Sequence, residues 1–184
     1  YTTMFRNLPP VTKNLLLINI ICFLADMVFS RYGVNLSHIL GLHYVTASEF
    51  GFWQPITYMF MHANFSHLFF NMFAVLMFAP AIEDRWGSRR FLIYYLVTGI
   101  GAGIIQEIVW ALQLQPVLNS VDPLMAAQLV NRVVTIGASG AVFVILLAFG
   151  WLFPDVRMYI LFIPVPIRAR TLVIIYALIE LFTG

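Results

Sequence analysis

The chain has 184 residues, 61% of them hydrophobic and only 10% charged, with a formal net charge of +2. A water-soluble domain carries about a quarter charged residues. With a mean hydropathy of +0.90, the surplus apolar surface has to face lipid, which excludes a soluble globular domain and marks an integral membrane protein. The one cysteine, Cys22, can form no internal disulfide.

A helix needs roughly 20 mainly apolar residues to cross about 30 Å of hydrocarbon. In chain order, the apolar runs predict spans at residues 14–29, 65–82, 91–112 and 136–153, and a fifth from residue 171. The fifth is cut off at Gly184, and Tyr1 is not an initiator methionine. The sequence is therefore expected to be a fragment of a longer protein, residues 1–184 forming a single domain truncated at its C-terminus.

The first connection, residues 30–54, contains Phe50, Phe52 and Trp53 and reads as an interfacial loop with an aromatic anchor. Residues 113–135, with Pro116, Asp122 and Pro123, read as a second long loop. Residues 154–170 include Pro164-Val165-Pro166, which cannot be regular helix, and read as a loop against the membrane surface.

Basic residues set the orientation. With a cytoplasmic N-terminus, Arg6, Lys13, Arg85, Arg89, Arg90, Arg157, Arg168 and Arg170 lie inside, and only Arg31 and Arg132 lie outside. Eight against two is a positive-inside bias. In the third span, Gly99-Ile100-Gly101-Ala102-Gly103 holds a small-x-x-x-small pair that lets helices approach closely. Gly137, Gly140, Ala141 and Ala148 suit the fourth span to a central, tightly packed position.

Against this apolar background a few polar residues stand out, because a polar group at membrane depth is costly and marks a working site by default. His67 and Asn71 are four apart and share one helix face. They suit interhelical hydrogen bonding, at about 1 kcal/mol each, or a functional role, and on their own leave both open. Ser139 lies near the outer start of the fourth span in Gly137-Ala138-Ser139-Gly140. A first helical turn offers free N–H groups and the positive end of the dipole, which suit a developing oxyanion. A serine nucleophile needs such donors and a base. His62 precedes the second span, and Glu83-Asp84-Arg85-Trp86-Gly87 follows it. His38 and His43, in the first long loop, read as solvated or interfacial. There is no metal-ligand spacing, phosphate loop or nucleic-acid patch.

In the order and spacing of these motifs, from about Trp53 through the fifth span, the chain resembles the rhomboid intramembrane serine proteases. The resemblance implies an all-α, polytopic transmembrane helix bundle with five of six core helices present, the fifth incomplete. It implies Ser139 as nucleophile, and His67 and Asn71 with backbone N–H groups near Ser139 as the oxyanion hole. His62 matches a histidine bracing the outer loop, and Glu83 and Arg85 match an inner E-x-R pair that ties loop to helix. Gly137 and Gly140 flank the nucleophile. Phe143 stands where an aromatic packs against the base, and lacks a hydroxyl.

The family's general base is a histidine on a sixth helix, in an A-H-x-x-G setting that this sequence does not contain. His67 is within conceivable reach of Ser139, yet the resemblance assigns it to the oxyanion. Trp53-Gln54 also replaces the family's frequent Trp-Arg. The implied activity is Ser-His dyad cleavage of single-span membrane protein substrates. No cofactor, metal or nucleic-acid partner is implied, and the lipid bilayer is the solvent. A bacterial inner membrane is the expected location, with the site opening to the outer face. Two rivals remain: a rhomboid-like pseudoprotease that binds transmembrane clients, and a channel or transporter, for which Glu107 near the outer end of the third span is the nearest carboxylate.

Overall fold

The structure, a computed structural model, describes residues 7–158 and 166–175. Helix α1 (Pro10–Ser30) is followed by the short α2 (Leu36–Leu40), strand β1 (Leu42–His43), α3 (Gln54–Thr57) and a 3-10 turn, Tyr58–Phe60. Two long helices, α4 (Phe65–Trp86) and α5 (Ser88–Leu118), lead to α6 (Pro123–Arg132), strand β2 (Val134–Thr135) and α7 (Ser139–Leu152). Strands β3 (Arg157–Met158) and β4 (Ile167–Arg168) pair antiparallel, and residues 169–175 are helical. This is the expected helix bundle.

Three helices among the described residues, α1, α4 and α5, are long and apolar enough to cross a membrane. Their exposed faces are apolar, with Ile21, Leu24 and Val28 on α1 and Val97, Ile104, Ile105 and Ile108 on α5 more than half exposed. Such surfaces are at home in hydrocarbon and nowhere else. Of α1 only Thr12, Leu15, Leu16 and Asn19 are buried. α7 packs against both α4 and α5. Phe149 meets Phe78 of α4 with ring centroids 5.0 Å apart, and the Tyr94 hydroxyl of α5 donates to the Val144 carbonyl at 2.9 Å. A Cβ on Gly140 would lie 3.0 Å from that of Ala102, so this glycine lets α5 and α7 close together.

Several boundaries differ from the sequence reading. The fourth span is helical only from Ser139, because Gly137 has φ of +126° and cannot belong to a right-handed helix. Its 14 residues rise about 21 Å, short of the ~30 Å hydrocarbon layer. The loop expected at 113–135 is mostly helix. α5 continues through Pro116 to Leu118, where a missing N–H costs one bond near the helix end. α6 starts at Pro123, with the Asp122 carboxylate accepting from the Leu124 and Met125 N–H groups. In residues 30–54, α2 starts under the Asn35 side chain, which accepts from the His38 N–H. Most of the fifth predicted span, with Pro164 and Val165, lies outside the described residues.

His43 corrects another expectation. It is fully buried, not solvated. Its Nε2 lies 2.7 Å from the His38 carbonyl, and its N–H donates to Gln54 Oε1 at 3.2 Å. Gln54, also buried, donates in turn to the Ile39 and Glu49 carbonyls. β1 pairs antiparallel with β2, Leu42 opposite Thr135 and His43 opposite Val134. The first long loop is thereby joined to the segment leading into α7. Glu107 holds the same loop: its carboxylate accepts the Val45 N–H at 3.0 Å.

At the other end of α4, Glu83 is buried and accepts four hydrogen bonds. They come from the N–H groups of Val11 and Thr12, the Thr12 hydroxyl and the Ser88 hydroxyl, at 2.7–2.9 Å. One carboxylate thus caps the N-terminus of α1, which has no side-chain cap of its own, and fastens the start of α5. Arg85, two residues on, is exposed and makes no ion pair among the described residues. Replacing Glu83 with Ala is expected to destabilise the protein by about 3 kcal/mol or more, since charged hydrogen bonds are lost and buried donors orphaned. Arg85→Ala should stay within about 0.5 kcal/mol. Thermal unfolding in detergent checks both.

Candidate active site

The site is assembled where three segments meet: the first two turns of α4, the extended residues before α7, and the 3-10 turn. α4 begins under Asn64, whose side chain accepts from the His67 N–H at 2.9 Å. This fixes the backbone that carries His67. One turn later Asn71 is buried, and its Nδ2 has no partner among the described residues. An amide donor left unpaired inside an apolar bundle costs roughly 1–3 kcal/mol. A binding site, where an acceptor arrives with the ligand, is one place such a cost is retained.

Gly137 lies directly on the His67 ring. A Cβ at this position would sit 2.7 Å from His67 Cε1 and 3.1 Å from Nε2. Steric closeness and the positive φ both require glycine here. Two residues on, Ser139 opens α7 and is half-buried, and its hydroxyl makes no hydrogen bond among the described residues. The first helical bond of α7 runs from the Val142 N–H to the Ala138 carbonyl, leaving the N–H groups of Ser139, Gly140 and Ala141 without helical partners. The structure therefore brings His67, Gly137 and the start of α7 together, with Asn71 one turn below His67. Gly140 serves the α5 contact described above. Phe143, one turn beyond Ser139, is half-buried on the same helix.

His62 is buried behind His67, their ring centroids 5.1 Å apart and their planes at 74°. Burial first, and then the neighbouring His67, lower its pKa to about 4, with the backbone of Phe60 offsetting part of this. It is a neutral ring wedged between the outer connection and α4. Glu83 and Arg85 are not part of this constellation. They lie at the far end of α4, Glu83 some 18 Å from Asn71 at 1.5 Å per residue.

Sequence reasoning missed Tyr58. Its carbonyl accepts the Gly137 N–H at 2.9 Å, which ties the 3-10 turn to the segment that presents Ser139. The Gly99–Gly103 pair also serves a purpose other than the one expected. No helix packs into it; Met59 and Tyr58 do. A Cβ on Gly99 would overlap the Met59 sulfur, and one on Gly103 would be 3.3 Å from the Tyr58 ring. The small-residue stripe signalled a close approach but not by what.

The Rhomboid domain family model matches residues 49–184, a stretch that holds every part of this site. The chain belongs to the rhomboid family. It is 30% identical over 130 residues to rhomboid-like protein 11, chloroplastic, of Arabidopsis thaliana, covering 70% of this chain and 37% of that protein. It is 31% identical over 137 residues to rhomboid protease AarA of Providencia stuartii, covering 72% and 47%. Rhomboid-like protease 3 of Toxoplasma gondii matches at 32% over 99 residues, covering 50% and 38%. The chain thus spans between a third and a half of the length of these relatives. With its apolar helices, this rhomboid chain is an integral membrane protein.

Two outcomes follow from the geometry. Gly137→Ala should cost about 2 kcal/mol or more through backbone strain alone, with the collision against His67 added, and should lower the unfolding temperature in detergent. His62 is neutral when folded and titrates near its ordinary value, about 6.5, when unfolded. The unfolded state therefore binds the extra proton, so the stability that His62 contributes is complete above about 6.5 and is lost as pH falls towards 4. Unfolding midpoints measured from pH 4 to 8 should drop at the acid end, and His62→Gln should flatten that slope.

Proposed function

We propose that this chain belongs to an intramembrane serine protease that cleaves transmembrane segments of single-span membrane proteins. Ser139 is the nucleophile. His67, Asn71 and the free N–H groups of the first turn of α7 hold the oxyanion, where charge-developing oxygen is worth most in a water-poor site. His62 braces the outer connection, Gly137 lets the His67 ring come close to the segment that presents Ser139, Gly140 lets α7 close on α5, and Phe143 packs beside the reacting pair. Glu83 and Arg85 serve at the inner end, Glu83 by fastening α1 and α5. The observation that carries this reading is Gly137 lying on the His67 ring two residues before a serine at a helix N-terminus.

The base is a histidine on a sixth helix beyond residue 184. The sequence contains four histidines: His38 and His43 are engaged with each other in the outer loop, His62 is buried, and His67 is on the oxyanion side. Ser139 attacks the scissile carbonyl while that histidine takes its proton. The same histidine then returns the proton to the leaving amine, and water from the outer face hydrolyses the acyl-enzyme. With Ser139 and that histidine as its two catalytic side chains, the pair works as a dyad.

We read residues 1–184 as one domain with a cytoplasmic N-terminus and the site opening outward. The positive-inside bias supports this, because the exposed Arg85, Arg89 and Arg90 share the turn between α4 and α5. A bacterial inner membrane is the proposed location, with the Providencia relative in its favour and the chloroplastic one marking the alternative.

In the full-length protein, Ser139→Ala should abolish cleavage of a reporter transmembrane substrate without reducing the amount in the membrane. Undiminished cleavage would end the serine-protease reading. Residues 1–184 alone should not cleave. Co-purification of an intact transmembrane client with a full-length wild type that never cleaves would favour the pseudoprotease.

A further inference from the structure

We propose that Tyr58 is a positioning residue for the reaction. Its phenol is anchored on α5, and through its own backbone carbonyl it fixes Gly137, and with it the placement of His67 against the approach to Ser139. The inference rests on the assignment of Ser139 as nucleophile and goes beyond it by naming what sets the height of the nucleophile relative to the oxyanion donors.

Three contacts make Tyr58 a rigid link. Its hydroxyl donates to the Gly99 carbonyl at 2.6 Å, in the middle of α5. Its ring lies over Gly103, one turn further along the same helix. Its carbonyl accepts the N–H of Gly137 at 2.9 Å and that of Met61 at 3.3 Å. The side chain is only 4% exposed, and burial raises the phenol pKa to about 12, so the hydroxyl is a donor at every physiological pH. Met59, beside it, seats its sulfur on Gly99, where no side chain intervenes. The turn cannot slide along α5 without breaking these contacts.

The consequence for chemistry follows from where the rigid link ends. Gly137 touches His67 on one side and is two residues from Ser139 on the other. The Gly137 N–H is held from the 3-10 turn, while the next residue, Ala138, is tied to α7 through its carbonyl, which accepts the Val142 N–H at 2.8 Å. A shift of the turn by a fraction of an ångström moves Gly137 against the His67 ring or away from it. Misplacement on the scale of 1 Å can lower a rate by about 100-fold. α7 itself, packed on α4 and α5, need not move. An ordinary core tyrosine would contribute packing and stability. A positioning tyrosine contributes to turnover as well, and the two roles separate in kinetics.

The test uses the full-length protein reconstituted in vesicles with a transmembrane reporter substrate, and counts folded enzyme in each preparation. Tyr58→Phe keeps the ring and removes only the bond to Gly99. It should lower kcat at least ~10-fold with KM changed by less than about twofold. The Gly137 amide should lose hydrogen-exchange protection. Gly99→Ala, which drives a Cβ into Met59 and lifts the same turn, should give the same kinetic split. Either variant folded with kcat within about twofold of wild type overturns the proposal. Should neither fold, the wild type decides, because its Gly137 amide must exchange much more slowly than those of Ser139 and Gly140, and equal rates overturn the link. Ser139→Ala runs alongside. If it cleaves normally, the nucleophile assignment has failed, while loss or retention of Gly137 protection in Tyr58→Phe still reports on the link itself.

Discussion

Hydrocarbon offers no hydrogen bonds, so every polar group between the ends of these helices must find its partner in the protein. Much of the architecture follows from how those partners are found. The Glu83 carboxylate is spent on α1 and α5, the Tyr94 hydroxyl on α7, the Tyr58 hydroxyl on the Gly99 carbonyl, and the Thr98 hydroxyl on carbonyls of its own helix. The first three join elements that would otherwise meet through apolar side chains, which in lipid have no reason to prefer one another over the acyl chains. At the outer end of α4 the pattern changes. The Asn71 amide is buried without a partner among the described residues, and burial lowers the pKa of His62 to about 4. His67, next to His62, lies against Gly137, and the N–H groups of Ser139, Gly140 and Ala141 in the first turn of α7 have no helical partner. Among the described residues, buried polar atoms without a partner also occur on Asn19, His43, Tyr95 and Glu107, so what singles out the place where Ser139 is presented is the closeness of Gly137 to the His67 ring.

The geometry of that place depends on glycine more than on any side chain. Gly137 admits the His67 ring where a methyl group would collide, and its positive φ turns the chain so that Ser139 starts a helix instead of continuing one. With only 14 residues, α7 is shorter than α4 and α5, the helices it packs against. A short helix and a positive-φ glycine together put Ser139 at the start of α7, with Gly137 against the His67 ring. The pairing of β1 with β2 and the chain of contacts through His43, Gln54 and Glu107 then hold the outer connection over this end of the bundle.

The membrane class, the first three spans and the polar positions were legible in the sequence because each leaves a local signal, whereas the fourth apolar run proved to be a shorter helix, Ser139–Leu152. Hydropathy marks a span, a four-residue spacing puts His67 and Asn71 on one face, and glycines around a serine stand out in an apolar run. What was not legible depends on partners distant in the chain. Glu83 looked like half of an E-x-R pair, yet its partners are 71 and 72 residues away on α1, and Arg85 takes no part among the described residues. Gly99 and Gly103 announced a close approach without saying that Tyr58 and Met59 make it. His43 was indistinguishable from a solvated loop histidine until Gln54 and the β1–β2 pair enclosed it. Asp122-Pro123 did carry a readable helix-start signal, which the surrounding prolines masked.

The central claim is that Ser139 is an activated nucleophile at the mouth of an oxyanion hole. Labelling of the full-length protein with a fluorophosphonate, followed by mapping of the modified peptide by mass spectrometry, tests it most directly. The account predicts a single adduct on Ser139, formed slowly or not at all once His67 and Asn71 are replaced. An adduct on another serine, or cleavage of a transmembrane substrate by a protein that never labels at Ser139, would contradict it.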